Sequence, residues 1–155
     1  MAEITSRQVT AITGSSTSPG KLLPSSGGKV KVVTITSPAT VTWANGDTIG
    51  SGTVIPPGAR FLAASFVSCA AMGASVVLAV GTRDPVTKTA ISASGIATGV
   101  SVASATQTAL NNGALVAAGV ESVTTASCEV YATLSGATPT ANAQIRIEVA
   151  YLSND

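Results

Sequence analysis

Residues 124–134 have the sequence TTASCEVYATL, in which two sets of side chains alternate. The odd positions carry Thr, Ser, Glu and Tyr, and the even positions carry Thr124, Ala126, Cys128, Val130, Ala132 and Leu134. Successive side chains of a β-strand point to opposite faces of its sheet, so a period of two is typical of a half-buried strand. The alternation therefore predicts a strand whose even face, Cys128 included, is buried.

The same alternation returns in residues 143–151, which have the sequence AQIRIEVAY. The stretch between these strands, SGATP at 135–139, has the composition of a turn. We expect the two strands to form an antiparallel hairpin. Glu129, Arg146 and Glu148 would then share its solvent-facing side.

Upstream, the β-branched segment 29–36 (KVKVVTIT) predicts a strand. Residues 40–44 (TVTWA) predict a second strand, which ends at the turn signal Asn45-Gly46-Asp47. Residues 53–55 predict a third, which Pro56-Pro57-Gly58 ends. The glycine-rich run that follows Asn45 has no helix or GK[ST] sequence after it, so we interpret it as a turn and not a phosphate loop.

Two longer apolar stretches follow. Residues 59–70 predict one strand, and residues 74–82 (ASVVLAVGT), apolar on both faces, predict a central strand between two layers. Residues 88–92 predict a further short strand after a turn at 83–85. Residues 104–112 fit either a short helix, with Ser104 as N-cap and Gly113 as its stop, or a long loop.

Many short strands separated by turn signals are typical of an all-β fold. We predict an antiparallel, jelly-roll-like β-sandwich over residues 29–155, preceded by an extended N-terminal arm over residues 1–28. The arm is rich in Ser, Thr, Gly and Pro, and its sparse apolar side chains are candidate partner contacts. These are Ile4, Val9, Ile12, Leu22 and Leu23.

The composition excludes several classes of function. Charged residues make up 10% of the 155 residues, against about 25% in a typical soluble domain, and the net charge is +1. Eight Lys and Arg residues are too few for the basic stripe of a nucleic-acid binder. We also expect no membrane span, because no run of about 18 apolar residues occurs, and no signal peptide. Near-neutral charge and small side chains favour association with a partner.

The chain has no histidine, which removes the usual general base and zinc ligand. We therefore predict no enzyme activity and no cofactor or metal. The lysines Lys21, Lys29, Lys31 and Lys88 are expected to be solvated charges. Glu129 and Glu148 could face each other across the hairpin, but no cleft or aromatic sugar platform accompanies them.

Four further side chains are candidates for structure or contact. Cys69 and Cys128 are interpreted as buried thiols, with a disulfide as the alternative. Trp43, the single tryptophan, is a core or interface anchor. Arg60, at a strand start, is either a surface charge or a clamp on a neighbouring carbonyl or carboxylate.

Three stretches carry a family resemblance: IPPGARFL at 55–62, VGTRDP at 80–85 and TANAQIRIEVAY at 140–151. Their order resembles small structural proteins of tailed bacteriophages, most of all capsid decoration (cement) proteins. The resemblance implies a protein on the outside of the virion that binds the major capsid protein, often as a homotrimer and often through an N-terminal arm. The alternatives are a head-fibre, tail or receptor-binding β-module, and a hydrolase on a β-sandwich.

Overall fold

The computed structural model describes residues 29–117 and 122–153, and these form two antiparallel sheets packed face to face. The predicted all-β sandwich is confirmed. Its jelly-roll-like character stays a prediction, and the arm at 1–28 lies outside the described residues.

The first sheet is built around the last strand of the chain. Its strands are β1 (Lys29–Thr36), β3 (Arg60–Phe61), β4 (Phe66–Cys69), β7 (Thr106–Ala109) and β9 (Ile145–Ser153). β1 pairs with one side of β9, from Lys29 opposite Ser153 to Thr36 opposite Arg146, without a register shift. β3 and β4 pair with its other side, and β7 pairs with β4.

The second sheet has four strands in the order β2-β8-β5-β6. They are β2 (Thr48–Ile55), β5 (Val77–Arg83), β6 (Ala90–Ser101) and β8 (Cys128–Ser135). A single helical turn, α1 (Ala114–Ala117), contacts β6. β5 lies between β8 and β6, as the apolar stretch at 74–82 predicts for a central strand.

The core lies between the sheets and is made from the alternate residues that the sequence predicts. On β8 it contains Cys128, Val130, Ala132 and Leu134, and on β9 it contains Ile145, Ile147, Val149 and Tyr151. The buried face that each alternation predicts is therefore confirmed. Each of these side chains leaves water on folding, which stabilises the sandwich by about 25 cal/mol for each Å² of apolar surface buried.

The predicted hairpin of the last two strands is wrong. β8 pairs with β2 and β5, whereas β9 pairs with β1, β3 and β4 in the other sheet. The connection between them crosses from one sheet to the other. At its start Gly136 has a φ of +91°, and a Cβ there would lie 2.2 Å from the Ser75 carbonyl oxygen. A period of two identifies the buried face of a strand but not the neighbour with which it pairs.

Residues 40–44 do not form the predicted strand; they form a loop that places Trp43 in the core. The indole Nε1–H of Trp43 donates to the Ala143 carbonyl at 3.0 Å. The turn at 45–47 is confirmed: Asp47 Oδ2 accepts the Ala44 N–H at 2.7 Å. The loop is therefore fixed by side-chain bonds instead of a sheet ladder.

The predicted strand at 59–70 is interrupted between β3 and β4. Ser65 lies in the break, where its hydroxyl donates to the Leu62 carbonyl at 2.9 Å and accepts the Ala150 N–H at 3.0 Å. A side chain that takes over a backbone bond in this way lets the strand leave and rejoin the sheet.

Two further predictions are corrected. Residues 104–112 contain neither helix nor long loop but the strand β7, and Gly113 precedes α1 instead of ending a helix.

The glycine-rich segment after Asn45 is a turn only at its start. From Thr48 onward it is β2, which carries a register shift between Gly50 and Val54. Gly52, with a φ of +67°, allows the irregular backbone that a propensity argument treats as a turn.

We expect Ile147→Ala to lower the free energy of unfolding by about 2–5 kcal/mol, because Ile147 is fully buried in the middle of β9. Val86→Ala is the matched control, since Val86 is 85% exposed and should change stability by less than about 0.5 kcal/mol. Urea unfolding followed by tryptophan fluorescence measures both. Equal midpoints for the two variants would contradict the placement of Ile147.

Candidate functional site

The outer face of the five-stranded sheet carries apolar side chains exposed to solvent. Val30 is 64% exposed, Val32 is 58% exposed and Phe66 is 40% exposed. Residues paired across neighbouring strands lie on the same face, so Leu152, the partner of Val30, belongs with them. Phe66 lies opposite Glu148, so the exposed Arg146–Glu148 ion pair shares this face. We call Val30, Val32, Leu152 and Phe66 the outer patch. Apolar residues grouped on an exposed face are typical of an interaction site.

Arg60 lies in the same row of this face. It pairs with Leu152, which pairs in turn with Val30 on the opposite side of β9. Arg60 is half-buried. No described residue forms an ion pair or side-chain hydrogen bond with its guanidinium group. A long side chain of this kind can lay its stem on apolar neighbours and present its charge to a partner.

Sequence reasoning missed the outer patch as a site, although β1 carried a signal. In KVKVVTIT, apolar residues are found at both odd and even positions. Val33 and Ile35 are buried in the core, and Val30 and Val32 point outward. A strand that is apolar on both faces is normally covered on both. The other candidate contact residues have different surroundings. Trp43 is 6% exposed within the core, and Ile4, Val9, Ile12, Leu22 and Leu23 lie outside the described residues.

The outer face of the second sheet holds an ion cluster around the buried Glu129 carboxylate. The Glu129 side chain is 3% exposed; its Oε1 lies 3.1 Å from Arg83 Nη2, and its Oε2 accepts a hydrogen bond from Lys88 Nζ. The Gly52 N–H donates to Oε1 at 2.9 Å. We call Arg83, Lys88 and Glu129 the Glu129 cluster. The Lys88 side chain is 49% exposed, so it is solvated as the sequence predicts, but it is also paired with Glu129.

The prediction that Glu129 shares a wet face with Arg146 and Glu148 is wrong. Glu129 is on β8 in the second sheet, and the other two are on β9 in the first. Arg146 Nε and Glu148 Oε1 form their own exposed ion pair at 3.5 Å, of the kind that contributes about 0–1 kcal/mol. Because the two glutamates lie in different sheets, they form no carboxylate pair.

Tyr131 and Gly50 lie directly beside the Glu129 cluster. Arg83 Cζ lies 5.2 Å from the centroid of the Tyr131 ring, within range of a cation–π interaction. On the neighbouring strand, Gly50 lies against the cluster: a Cβ at this position would be 2.1 Å from Arg83 Nη2 and 2.3 Å from Glu129 Oε1. The cluster fits only because position 50 has no side chain.

The loop between β5 and β6 supplies Lys88 and is itself tightly folded. Asp84 Oδ1 accepts the N–H groups of Val86 at 2.8 Å and Thr87 at 2.7 Å. The Asp84 N–H donates to the Thr89 carbonyl at 2.8 Å. The bonds that the Thr87 and Val86 N–H groups donate to the carboxylate lower the pKa of Asp84. Lys88 adopts a φ of +60°, which turns its side chain back toward Glu129 and leaves Val86 exposed at the tip.

The electrostatics of Glu129 are set by two opposing effects. Burial raises the pKa of its carboxyl, but hydrogen bonds from Arg83, Lys88 and the Gly52 N–H outweigh it. The resulting pKa is about 2, against an ordinary value of 4.5. Glu129 is therefore ionised at neutral pH and acts as a structural anion, since a proton acceptor in catalysis needs a pKa near the working pH.

Both cysteines are free thiols, so the disulfide alternative is not realised. Burial raises the pKa of Cys128 to about 11 and also raises that of Cys69. A thiol in this state is a poor nucleophile. Cys128 borders a small cavity of about 90 Å³, together with Ile91, Leu115 and Val123.

A shallower polar groove of about 430 Å³ lies between the ends of β6 and β7. It is lined by hydroxyl and amide side chains, among them Ser104, Thr106 and Asn112. The Asn112 amide already forms hydrogen bonds within the protein, because its Nδ2–H donates to the Thr98 carbonyl and its Oδ1 accepts the Thr98 N–H.

Among residues 29–117 and 122–153, no group of three or more His, Cys, Asp or Glu residues could hold a metal ion. The described helix is also too short to cross a bilayer.

Two solved structures share this fold. A chain in the capsid of Ralstonia phage GP4 aligns with a TM-score of 0.63 at 15% identity, over 83% of this chain and 86% of that one. A chain in the capsid asymmetric unit of cyanophage Pam1 aligns with a TM-score of 0.51 at 21% identity, over 88% of this chain and 91% of that one. No protein-family model matches the sequence, and no curated protein matches it. At these identities the likeness establishes the fold.

Because the folded-state pKa of Glu129 lies below the ordinary value, the unfolded chain binds more protons between pH 4.5 and about 2. The cluster should contribute its full stabilisation above this window and lose it as the pH falls through the window. A depression of this size corresponds to about 3 kcal/mol. We expect the stability difference between wild type and Glu129→Gln to shrink across the window in urea unfolding. A difference that does not vary with pH would contradict this assignment.

Proposed function

We propose that this chain is a virion structural protein that binds the outside of a phage capsid and stabilises it by bridging neighbouring shell subunits. The observation that carries the proposal is the shared fold with chains of two phage capsids over more than four-fifths of the sequence. The decoration role and the position on the capsid surface rest on the family resemblance of the three sequence stretches.

The outer patch supports a binding role of this kind. Its apolar side chains are exposed on a sheet face with Arg60 at one end, an arrangement suited to contact with a protein surface. The Glu129 carboxylate, by contrast, is 3% exposed and is already bonded to Arg83, Lys88 and the Gly52 N–H. We accordingly propose no catalytic activity and no cofactor.

The proposed partners are the major capsid protein and further copies of this chain, as the homotrimer that the resemblance implies. Neither nucleic acid nor membrane is proposed as a partner, in keeping with a net charge of +1. Assembly onto the particle would take place in the host cytoplasm. Bridging several subunits at once makes each contact intramolecular after the first, so individually weak contacts give a durable attachment.

Mutation of the outer patch tests the docking face. We expect Phe66→Asp to weaken binding to purified capsids of the same phage by at least about tenfold, since a charge would be buried against an apolar partner. Val86→Asp is the matched control, because Val86 is exposed in the loop between β5 and β6, which belong to the other sheet. Co-sedimentation with capsids measures both. Unchanged binding of Phe66→Asp would exclude this face.

Deletion of residues 1–28 tests the arm. We expect the truncated chain to lose most of its protection of capsids against heat, because the arm is proposed to hold a neighbouring subunit. Light scattering during heating, with and without added protein, measures this effect. Truncated protein that protects as well as the full chain would show that the arm has no such role.

The position of the protein on the particle separates the proposal from its alternative. Electron microscopy of virions labelled with an antibody to this chain should show density spread over the shell. Label confined to one vertex or to the tail would instead support the head-fibre, tail or receptor-binding module.

A further inference from the structure

The free edge of β1 can be assigned residue by residue. The Ser37 N–H donates to the Ile145 carbonyl at 2.9 Å and continues the register in which Thr36 opposes Arg146. Residues of an antiparallel pair alternate between hydrogen-bonded and non-hydrogen-bonded positions. The odd-numbered residues of β1 therefore bond to β9. The even-numbered residues direct their N–H and C=O groups away from it.

These even-numbered residues are Val30, Val32, Thr34 and Thr36. All four side chains are exposed on the outer face. In the described part of the chain, β1 pairs with β9 alone, and no turn or loop bond uses its outward groups. A row of unpaired N–H and C=O groups is a template for one more strand.

The other outer strands of the two described sheets are interrupted or short. β2 has a register shift between Gly50 and Val54, and β6 has three shifts against β5. β7 has four residues. Irregular and short strands prevent edge-to-edge pairing. β1, with eight residues in one register, lacks both of these devices, and its charged residues, Lys29 and Lys31, are at positions that bond to β9 instead of at the outward ones.

The sequence of β1 complements itself. In an antiparallel arrangement centred on Val33, Val30 lies opposite Thr36 of a second copy, and Val32 lies opposite its Thr34. Each of the four outward residues then exchanges two backbone hydrogen bonds with its opposite. A register shifted by one pair in either direction leaves one of the four without an opposite residue in the described strand. Centring on Val33 is therefore the best register.

The charges of β1 are compatible with this arrangement. Lys31 lies opposite Ile35 of the second copy, and Lys29 lies opposite its Ser37, so no lysine faces a lysine. Like charges directly opposite each other would destabilise the pairing. The net charge of +1 also leaves little overall repulsion between two copies.

We propose that β1 is a docking edge for a second copy of this chain, in a two-fold contact that joins two five-stranded sheets into one continuous sheet. Both partners use the same surface, as a two-fold interface requires. The valines of the two copies then lie on one face, among threonines. The contact is independent of the function proposed above, because it needs no capsid, and it can link two trimers as well as two single chains.

A proline at position 32 tests the contact without breaking the strand. Proline lacks an N–H and is tolerated on an edge strand where that N–H faces solvent. Since the Val32 N–H points away from β9, Val32→Pro removes bonds to the second copy and none to β9. Val32→Thr, which keeps the N–H and the β-branch, is the matched control. Sedimentation equilibrium of the full chain over a concentration series measures the mass.

We expect wild type and Val32→Thr to reach twice the mass of Val32→Pro as concentration rises. Equal masses for all three proteins throughout the series would overturn the proposal. Circular dichroism confirms that Val32→Pro keeps its sheets, and Thr34→Pro replaces it if it does not.

Cross-linking tests the register itself. Opposite Cα atoms of a hydrogen-bonded pair are about 5.5 Å apart, within disulfide range. In a Cys69→Ser background, chains with Val32→Cys mixed with chains with Thr34→Cys should form a disulfide-linked dimer on oxidation. Val32→Cys alone should form little. A missing mixed dimer, or one no more abundant than the Val32→Cys homodimer, would overturn this register.

Discussion

β9 is hydrogen-bonded along both of its edges, and three of the other four strands in its sheet, β1, β3 and β4, pair with it directly. Its odd-numbered backbone groups bond β1, and its even-numbered groups face β3, β4 and the Ser65 hydroxyl. The same alternation puts Ile145, Ile147 and Val149 into the core. One nine-residue strand thus fixes both the order of the sheet and the face that meets its partner sheet.

The local sequence pattern predicts much of this architecture. It fails where contacts between residues far apart in the sequence determine the structure. Alternation identified the buried faces of β8 and β9, but not that they belong to different sheets, because a period of two carries no information about neighbours. The odd position of Glu129 in the alternating stretch predicts that its side chain faces solvent. It is buried because Arg83 and Lys88, more than forty positions earlier in the chain, neutralise it, and because Gly50 leaves the necessary space.

The candidate site was only partly predictable. Arg60 was singled out from its place at a strand start, and it lies beside the outer patch. Val30, Val32 and Phe66 were not singled out, because a strand rich in valine is equally typical of a buried position and of a docking face. Exposure depends on what the rest of the fold leaves uncovered. The outward direction of the backbone groups of β1 likewise needs the register with β9, which no single stretch of sequence contains.

The unbroken register between β1 and β9 has a mechanical consequence. Inter-strand hydrogen bonds of an antiparallel pair run perpendicular to the strands. A force applied at Lys29 along the axis of β1 therefore loads all the bonds of the ladder together in shear. A force applied sideways opens them one pair at a time, like a zipper. Whatever the chain holds through the residues before Lys29, its resistance to pulling depends on the direction of the pull.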